Sequence, residues 1–146
     1  MLKYIINLSM GSLFSLFLIS TPSFSKTLVT WWNWGNEGSD LAVTITEDIQ
    51  NRFNASQDEI ELKISFKGED VNEPTRTALL AGAGPDIITS SGSTYVRAYY
   101  DGGFLKSMEE YSKKYGWNKQ ILPWAYNLGV FDGEFYSFPK NYESMV

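Results

Sequence analysis

Polar and aromatic side chains that suit the binding of a small molecule follow three predicted strands of this sequence. Asparagine, lysine, carboxylate and serine side chains can hydrogen-bond a ligand, and a tryptophan ring offers a flat apolar face. Open α/β sheets bind ligands in the crevice at the carboxyl ends of their strands, so we expect these side chains to line one site. The predicted site residues are Asn33 and Trp34 after the first strand, Lys67, Glu69 and Asp70 after the second, and Ser90 and Ser91 after the third.

Several of the predicted residues also have a structural interpretation. Trp31 and Trp32 alternate across the strand, so one of them is expected in the core, and Trp34 is the candidate that would stack on a ligand. Glu69 and Asp70 could form a solvated loop, with Asp70 starting the next helix, and the two serines could cap the third helix. Asp86, at the start of the third strand, is interpreted as a structural turn carboxylate and is left out of the predicted site.

Several kinds of catalytic site have no residues to build them. The sequence contains no histidine and no cysteine, so the commonest general base, transition-metal ligand and thiol nucleophile are missing. The G-x-S-x-G motif does not occur. The run from Gly82 to Gly84 precedes a strand, whereas a phosphate-binding loop places its glycines between a strand and a helix. Catalysis by histidine or cysteine, a metal site and a phosphate-binding loop are therefore not expected, whereas chemistry that uses two carboxylates stays open.

The elements that must position the site alternate between strand and helix. Strands are predicted over residues 26–32, 60–66 and 86–89 from their β-branched, aromatic or alternating apolar residues. The apolar residues of the first helix recur every four positions, and we interpret this stripe as its core-facing side. The stripe consists of Leu41, Ile45, Ile49 and Phe53.

The third strand is predicted to be central, and the second to lie towards a sheet edge. Asn72 can cap a helix that continues over residues 75–81, and Gly82, Gly84 and Pro85 end it. The apolar run that follows reads as a strand buried on both faces. Because the order βαβαβ has short connections, it predicts a parallel sheet with right-handed crossovers.

The second half of the chain is predicted to add helices and a hairpin. A third helix covers residues 93–101. Ser107 and Glu110 form the S-x-x-E pattern of a capping box for a fourth, which Gly116 ends. A further helix starts near Pro123, and Asp132 and Gly133 predict a two-residue type I′ turn between two short strands.

Residues 1–25 are interpreted as a cleaved signal peptide. They contain one cation, Lys3, no acidic residue, an apolar run, and small residues before the expected cleavage after Ser25. A membrane anchor is the alternative, although polar residues interrupt the apolar run. Residues 26–146 then form one domain with 11 cations and 17 acidic residues, a net charge of −6. That charge argues against a nucleic-acid partner.

Four segments of the sequence, in order, resemble the extracellular solute-binding proteins of ABC importers, family 1, the carbohydrate-binding group related to maltose-binding protein. The segments are LVTWWNWG, TALLAGAGPDI, GGFLKSMEEY and DGEFYSFPKNYESMV. The resemblance implies a type II periplasmic-binding-protein-like α/β lobe, with a central, mostly parallel sheet flanked by helices. Residues 26–146 would be the N-terminal lobe of a two-lobe protein. Because the sequence stops on Met145 and Val146 without a turn or cap, we expect a truncated lobe.

The resemblance also implies a function and two further site residues. Such a receptor binds a carbohydrate or polyol, closes on it about a hinge and delivers it to the membrane permease of an ABC importer. It acts as a monomer, without catalysis or cofactor. Tyr142 and Glu143, which follow the hairpin, are implied as ligand contacts. The lack of a lipid-carrying cysteine favours the periplasm over a Gram-positive surface.

Two alternative functions stay open at this point. An exported glycoside hydrolase would use two carboxylates across one cleft, for which Glu69 and Glu143 are the candidates. A sensing role, in which the closed protein contacts a receptor kinase, would use the same site.

Overall fold

The chain is described by a computed structural model that covers residues 25–36 and 41–140. The signal-peptide prediction for residues 1–25 therefore falls almost wholly outside the described residues. No helix within the described ranges is long and apolar enough to cross a membrane. The elements in chain order are β1 (Thr27–Asn33), α1 (Leu41–Ser56), β2 (Ile60–Phe66), α2 (Asn72–Leu80), β3 (Ile87–Ile88), α3 (Ser93–Asp101), α4 (Glu109–Tyr115), α5 (Trp117–Gln120), α6 (Pro123–Asn127), β4 (Val130–Phe131) and β5 (Glu134–Phe135).

The first three strands form a parallel sheet in the order β2-β1-β3, which confirms the predicted βαβαβ arrangement. Trp31 of β1 aligns with Ile64 of β2 on one side and with Ile87 of β3 on the other. The prediction that the third strand is central is wrong for the described sheet, because β1 occupies the middle. Ile87 is 42% exposed, since the α2 connection carries the chain past β1 to an outer position.

The prediction that the four-residue apolar stripe of α1 faces the core is also wrong. Its members Leu41, Ile45, Ile49 and Phe53 are all exposed, while Val43 and Thr46 are buried.

The physical reason is that β2 lies at an edge of the described sheet, with backbone groups that β1 does not pair. Polar side chains of α1 bind these groups. The side-chain Oε1 of Gln50 accepts from the Ile64 amide at 2.6 Å. The Asn54 side chain accepts from the Leu62 amide at 2.8 Å and donates to the Leu62 carbonyl at 2.9 Å. The polar face of α1 therefore covers the edge strand.

The second half of the described chain packs around Phe135, which is fully buried. Tyr126 of α6 stacks on the Phe135 ring with centroids 4.5 Å apart, and Trp117 of α5 meets it edge-on at 6.1 Å. The predicted type I′ turn is confirmed, because Asp132 and Gly133 have φ values of 48° and 84°. Gly116 ends α4 in the left-handed conformation, also as predicted.

Two of the predicted helix caps are wrong. The helix α4 is preceded by Met108 with no side-chain cap, and the Glu109 carboxylate accepts instead from the Phe135 amide at 3.1 Å. Ser107 Oγ accepts from the Glu109 amide at 3.3 Å, so the serine lies at the helix start as predicted, but its partner is Glu109 and the capping box with Glu110 is wrong. Asn72 is the first residue of α2, after Val71, and its side chain binds a distant loop.

Candidate functional site

The loops that follow β1, β2 and β3 are joined to one another by hydrogen bonds. Gly35 and Gly68 form an isolated antiparallel bridge, with N···O distances of 2.8 and 2.9 Å. Asn72, at the start of α2, donates from Nδ2 to Ser91 Oγ at 3.1 Å and accepts from the Ser91 amide at 3.2 Å. The structure thus ties together the segments that carry the predicted residues. We call their region the strand-end site, made up of Asn33, Trp34, Lys67, Glu69, Asp70, Ser90 and Ser91 with Lys140.

Asn33 is the buried anchor of the strand-end site. It is the last residue of β1 and is 2% exposed. Its Oδ1 accepts from the Trp34 amide at 3.1 Å and from Lys140 Nζ at 3.4 Å. The same ammonium lies 5.7 Å from the Trp34 ring centroid and 5.8 Å from that of Trp31, within the range of cation–π attraction. The side chains of Asn33, Trp34 and Lys140 therefore form one cluster.

Lys140 was missed by the sequence analysis. It lies in the FPKNYE segment after the hairpin, 107 positions from Asn33. The signal that could have found it was its position one residue after Pro139, inside a segment that already carried the family resemblance. Partial burial lowers the pKa of Lys140 below its ordinary value, because the ammonium loses water there.

Lys67 approaches the sheet from the other side. Its Nζ lies 4.0 Å from the Trp32 ring centroid, and its backbone amide donates to the Asn33 carbonyl at 2.8 Å. Trp31 and Trp32 are neighbours on β1, so their side chains project to opposite faces. Because Lys140 sits by Trp31 and Lys67 by Trp32, the structure does not bring the two ammonium groups together.

The acidic and serine residues of the predicted site differ in exposure and in hydrogen bonding. Glu69 is exposed, and Asp70 accepts from the Asn72 amide at 2.9 Å, which is the helix-starting role given above as its structural alternative. Ser91 binds Asn72, and α3 begins after Gly92 without a side-chain cap, so the serine does not cap that helix. Ser90 is half-buried. Tyr142 and Glu143 lie outside the described residues.

Asp86 holds β3 to β1. Its Oδ2 accepts from both the amide and the hydroxyl of Thr30, each at 2.8 Å. These hydrogen bonds, the backbone one first, hold the pKa of Asp86 below its usual value because they stabilise the carboxylate. The interpretation of Asp86 as a structural residue is confirmed.

Two surface depressions lie away from the strand-end site: one of about 320 Å³ between α1 and β2, and one of about 420 Å³ beside α3 and α6. Within residues 25–36 and 41–140, no group of three or more acidic side chains is placed to hold a metal ion. The chemistry that the strand-end site can provide is hydrogen bonding and stacking.

Residues 38–146 match the sequence model of the bacterial extracellular solute-binding proteins. The chain belongs to this family. Its members are extracellular proteins that bind solutes. No curated protein sequence matches this solute-binding protein.

Solved structures show the same fold. Mannotriose-bound CpMnBP1 aligns with a TM-score of 0.67 at 17% identity over 79% of the chain. An extracellular solute-binding protein family 1 from Alicyclobacillus acidocaldarius aligns with a TM-score of 0.63 at 24% identity over 80% of the chain. The lacto-N-biose complex of GL-BP from Bifidobacterium longum aligns with a TM-score of 0.60 at 17% identity over 82% of the chain. This solute-binding protein therefore has a type II periplasmic-binding-protein-like α/β fold. It spans only 28%, 28% and 29% of the lengths of those three chains.

Proposed function

We propose that this chain is the N-terminal lobe of a receptor that binds a saccharide outside the cytoplasm and delivers it to the permease of an ABC importer. The observation that carries the proposal is the cluster of Asn33, Trp34 and Lys140 at the carboxyl end of the sheet, in a member of the solute-binding family. Support also comes from the ligands named for two proteins of similar fold, mannotriose and lacto-N-biose.

The chemistry of the cluster suits a saccharide. A sugar ring presents C–H groups on its faces and hydroxyls at its rim, so it is bound by flat aromatic surfaces together with groups that bridge hydroxyls. Trp34 supplies the flat aromatic surface, and its side chain is only half-buried. Lys140 supplies the hydroxyl-binding group next to the ring, and the buried Asn33 positions its ammonium.

A second lobe would complete the cleft in this proposal. Closure about a hinge would trap the saccharide, because the closed state contacts it from both sides and is favoured by that added affinity. Tyr142 and Glu143 are part of the proposed contact surface. No bond of the ligand is broken, and no cofactor takes part. The receptor would act as a monomer in the periplasm after removal of residues 1–25.

The test is a saccharide screen on the protein encoded by the complete reading frame that contains this chain. Mannotriose, lacto-N-biose, xylobiose and simple polyols are tested by thermal shift. At least one of these compounds should raise the melting temperature of the protein. A ligand present at 100 times its Kd stabilises a protein by about 2.7 kcal/mol, which is a readily measured shift. A folded protein that no carbohydrate or polyol stabilises would contradict the proposal.

A further inference from the structure

Lys140 is a cation held between two aromatic rings and a neutral amide. Its Nζ lies 3.4 Å from Asn33 Oδ1, in a partly buried hydrogen bond, and less than 6 Å from the ring centroids of Trp31 and Trp34. None of the ion pairs formed among residues 25–36 and 41–140 includes this ammonium. The described surroundings of Lys140 are therefore polar or aromatic but carry no negative charge within ion-pair distance.

Two of the eight lysines in the described ranges form ion pairs. Lys26 pairs with Asp58 at 3.1 Å, and Lys113 pairs with Glu109 at 3.2 Å. Among the described lysines, Lys140 lies beside Trp34 and hydrogen-bonds the buried amide oxygen of Asn33.

Lys140 is exposed as a whole residue, but its ammonium gives up some of its water where it contacts Asn33 and lies near the two rings. One amide oxygen and two ring faces at nearly 6 Å replace only part of that solvation, because each offers a partial charge. A carboxylate oxygen would replace more, through a charge-assisted hydrogen bond that is about twice as strong as a neutral one. The ligand group best matched to this position is therefore a carboxylate next to a sugar ring that can stack on Trp34.

We propose that Lys140 is a specificity-determining residue that selects a saccharide bearing a carboxylate, that is, a uronic acid. This inference rests on the proposed function, since it concerns the ligand of the same strand-end site. Trp34 contacts the sugar face, and Lys140 donates to the carboxylate at its rim. Asn33 positions the ammonium for that contact through its Oδ1.

The experiment compares each acid with its own neutral form. Disaccharides of glucuronic, galacturonic and mannuronic acid, and their methyl esters, are titrated into the complete protein by calorimetry. At least one acid should bind with an affinity ten or more times higher than that of its ester. Added salt should weaken the binding of the acid and leave the binding of the ester unchanged. Lys140→Gln should remove the preference and Lys140→Arg should keep it. Lys119→Gln, an exposed lysine on α5, should bind both forms as the wild type does.

The outcomes separate this inference from the proposed function. Equal binding of acid and ester by the wild type, or an unchanged preference in a folded Lys140→Gln protein, overturns the role of Lys140. Binding of a neutral saccharide such as mannotriose with no binding of any acid overturns the uronic-acid inference and leaves the saccharide receptor in place. No binding of any saccharide overturns both.

Discussion

The carboxylate of Asp86 accepts hydrogen bonds from the backbone amide and the hydroxyl of Thr30, both at 2.8 Å. We call this pair of hydrogen bonds between neighbouring strands the clasp. Asp86 directly precedes β3, and Thr30 belongs to β1, so the clasp joins the two strands whose ends lead into the strand-end site. Trp31 adds a second link, because its indole N–H donates to Thr89 Oγ1 at 2.8 Å. Side chains thus reinforce the short pairing of β3.

Replacing Asp86 by Asn should destabilise the protein by about 1 kcal/mol. The substitution keeps one acceptor but removes the charge that strengthens both hydrogen bonds, and exposure to solvent limits the loss. Urea unfolding of the complete protein at neutral pH measures the difference. Glu61→Gln, an exposed carboxylate on β2, is the control and should change the free energy of unfolding little. An equal effect of the two substitutions would contradict the clasp.

The same clasp predicts a pH dependence with a definite sign. The pKa of Asp86 is lower in the folded protein than its ordinary value of 3.8, so the folded state favours the charged carboxylate. The stabilisation is therefore fully present above pH 3.8 and is lost as the pH falls through the folded pKa. The difference in unfolding free energy between wild type and Asp86→Asn should shrink below that pH. A difference that grows in acid would contradict this sign.

Replacing each of the two bridged glycines by alanine should lower the free energy of unfolding by different amounts. Gly35 and Gly68 have φ values of 98° and 81°, so both substitutions strain the backbone. A Cβ at Gly35 would also lie 2.7 Å from Val43 Cγ2, whereas one at Gly68 meets its nearest atom at 4.0 Å. We expect Gly35→Ala to lower stability by about 3 kcal/mol and Gly68→Ala by about 1 kcal/mol. Chemical denaturation checks the order, and the reverse order would show that the packing beside Val43 is not as described.

The link between Asn72 and Ser91 should contribute to stability unequally from its two ends. Asn72 is 4% exposed, and alanine there leaves the Ser91 amide and hydroxyl without their partner, at a cost of about 2 kcal/mol. Ser91→Ala removes only the hydroxyl and keeps the amide bond to Asn72 Oδ1, so about 1 kcal/mol is expected. Thermal unfolding of both variants makes the comparison. A larger loss of stability in Ser91→Ala than in Asn72→Ala would contradict this account of the Ser91 hydroxyl.

Tyr100 should titrate unusually late. Its hydroxyl donates to Asp132 Oδ2 at 2.6 Å, and this hydrogen bond, with partial desolvation, raises the pKa of Tyr100 to about 12. Any stabilisation from this contact is present below pH 10 and is lost as the pH rises through 12. Asn tolerates the positive φ of Asp132, so Asp132→Asn should lower the pKa without breaking the turn.

Ultraviolet titration of tyrosinate gives the measurement for that contact. The difference between wild type and Tyr100→Phe isolates the Tyr100 signal, and the same difference is taken in the Asp132→Asn background. Glu61→Gln again serves as the control. Identical Tyr100 titrations with and without the Asp132 carboxylate would contradict the assignment.

Local signals in the sequence were sufficient for most elements. The hairpin followed from Asp132 and Gly133, because two positive φ values in a two-residue turn favour these residue types. The end of α4 followed from Gly116 in the same way. The four-residue helix α5 was missed, since it starts directly after that glycine and is too short to show a periodic pattern.

Relationships between distant residues could not be read locally. The orientation of α1 depends on Gln50 and Asn54 binding the edge of β2, which requires knowing that β2 is an edge strand. Lys140 reaches Asn33 across 107 positions, so no spacing rule connects them. The resemblance to the family placed the hairpin segment near the ligand, but it did not single out this lysine.

The affinity of Trp34→Ala for the best-bound saccharide tests the strand-end site most directly. Calorimetry on the complete protein should show a loss of ten times or more, because removing the ring face costs at least about 1.4 kcal/mol of binding free energy. Trp124→Ala, at a half-exposed tryptophan on α6, should bind as the wild type does. Wild-type affinity in a folded Trp34→Ala protein would contradict a saccharide site at the carboxyl end of this sheet.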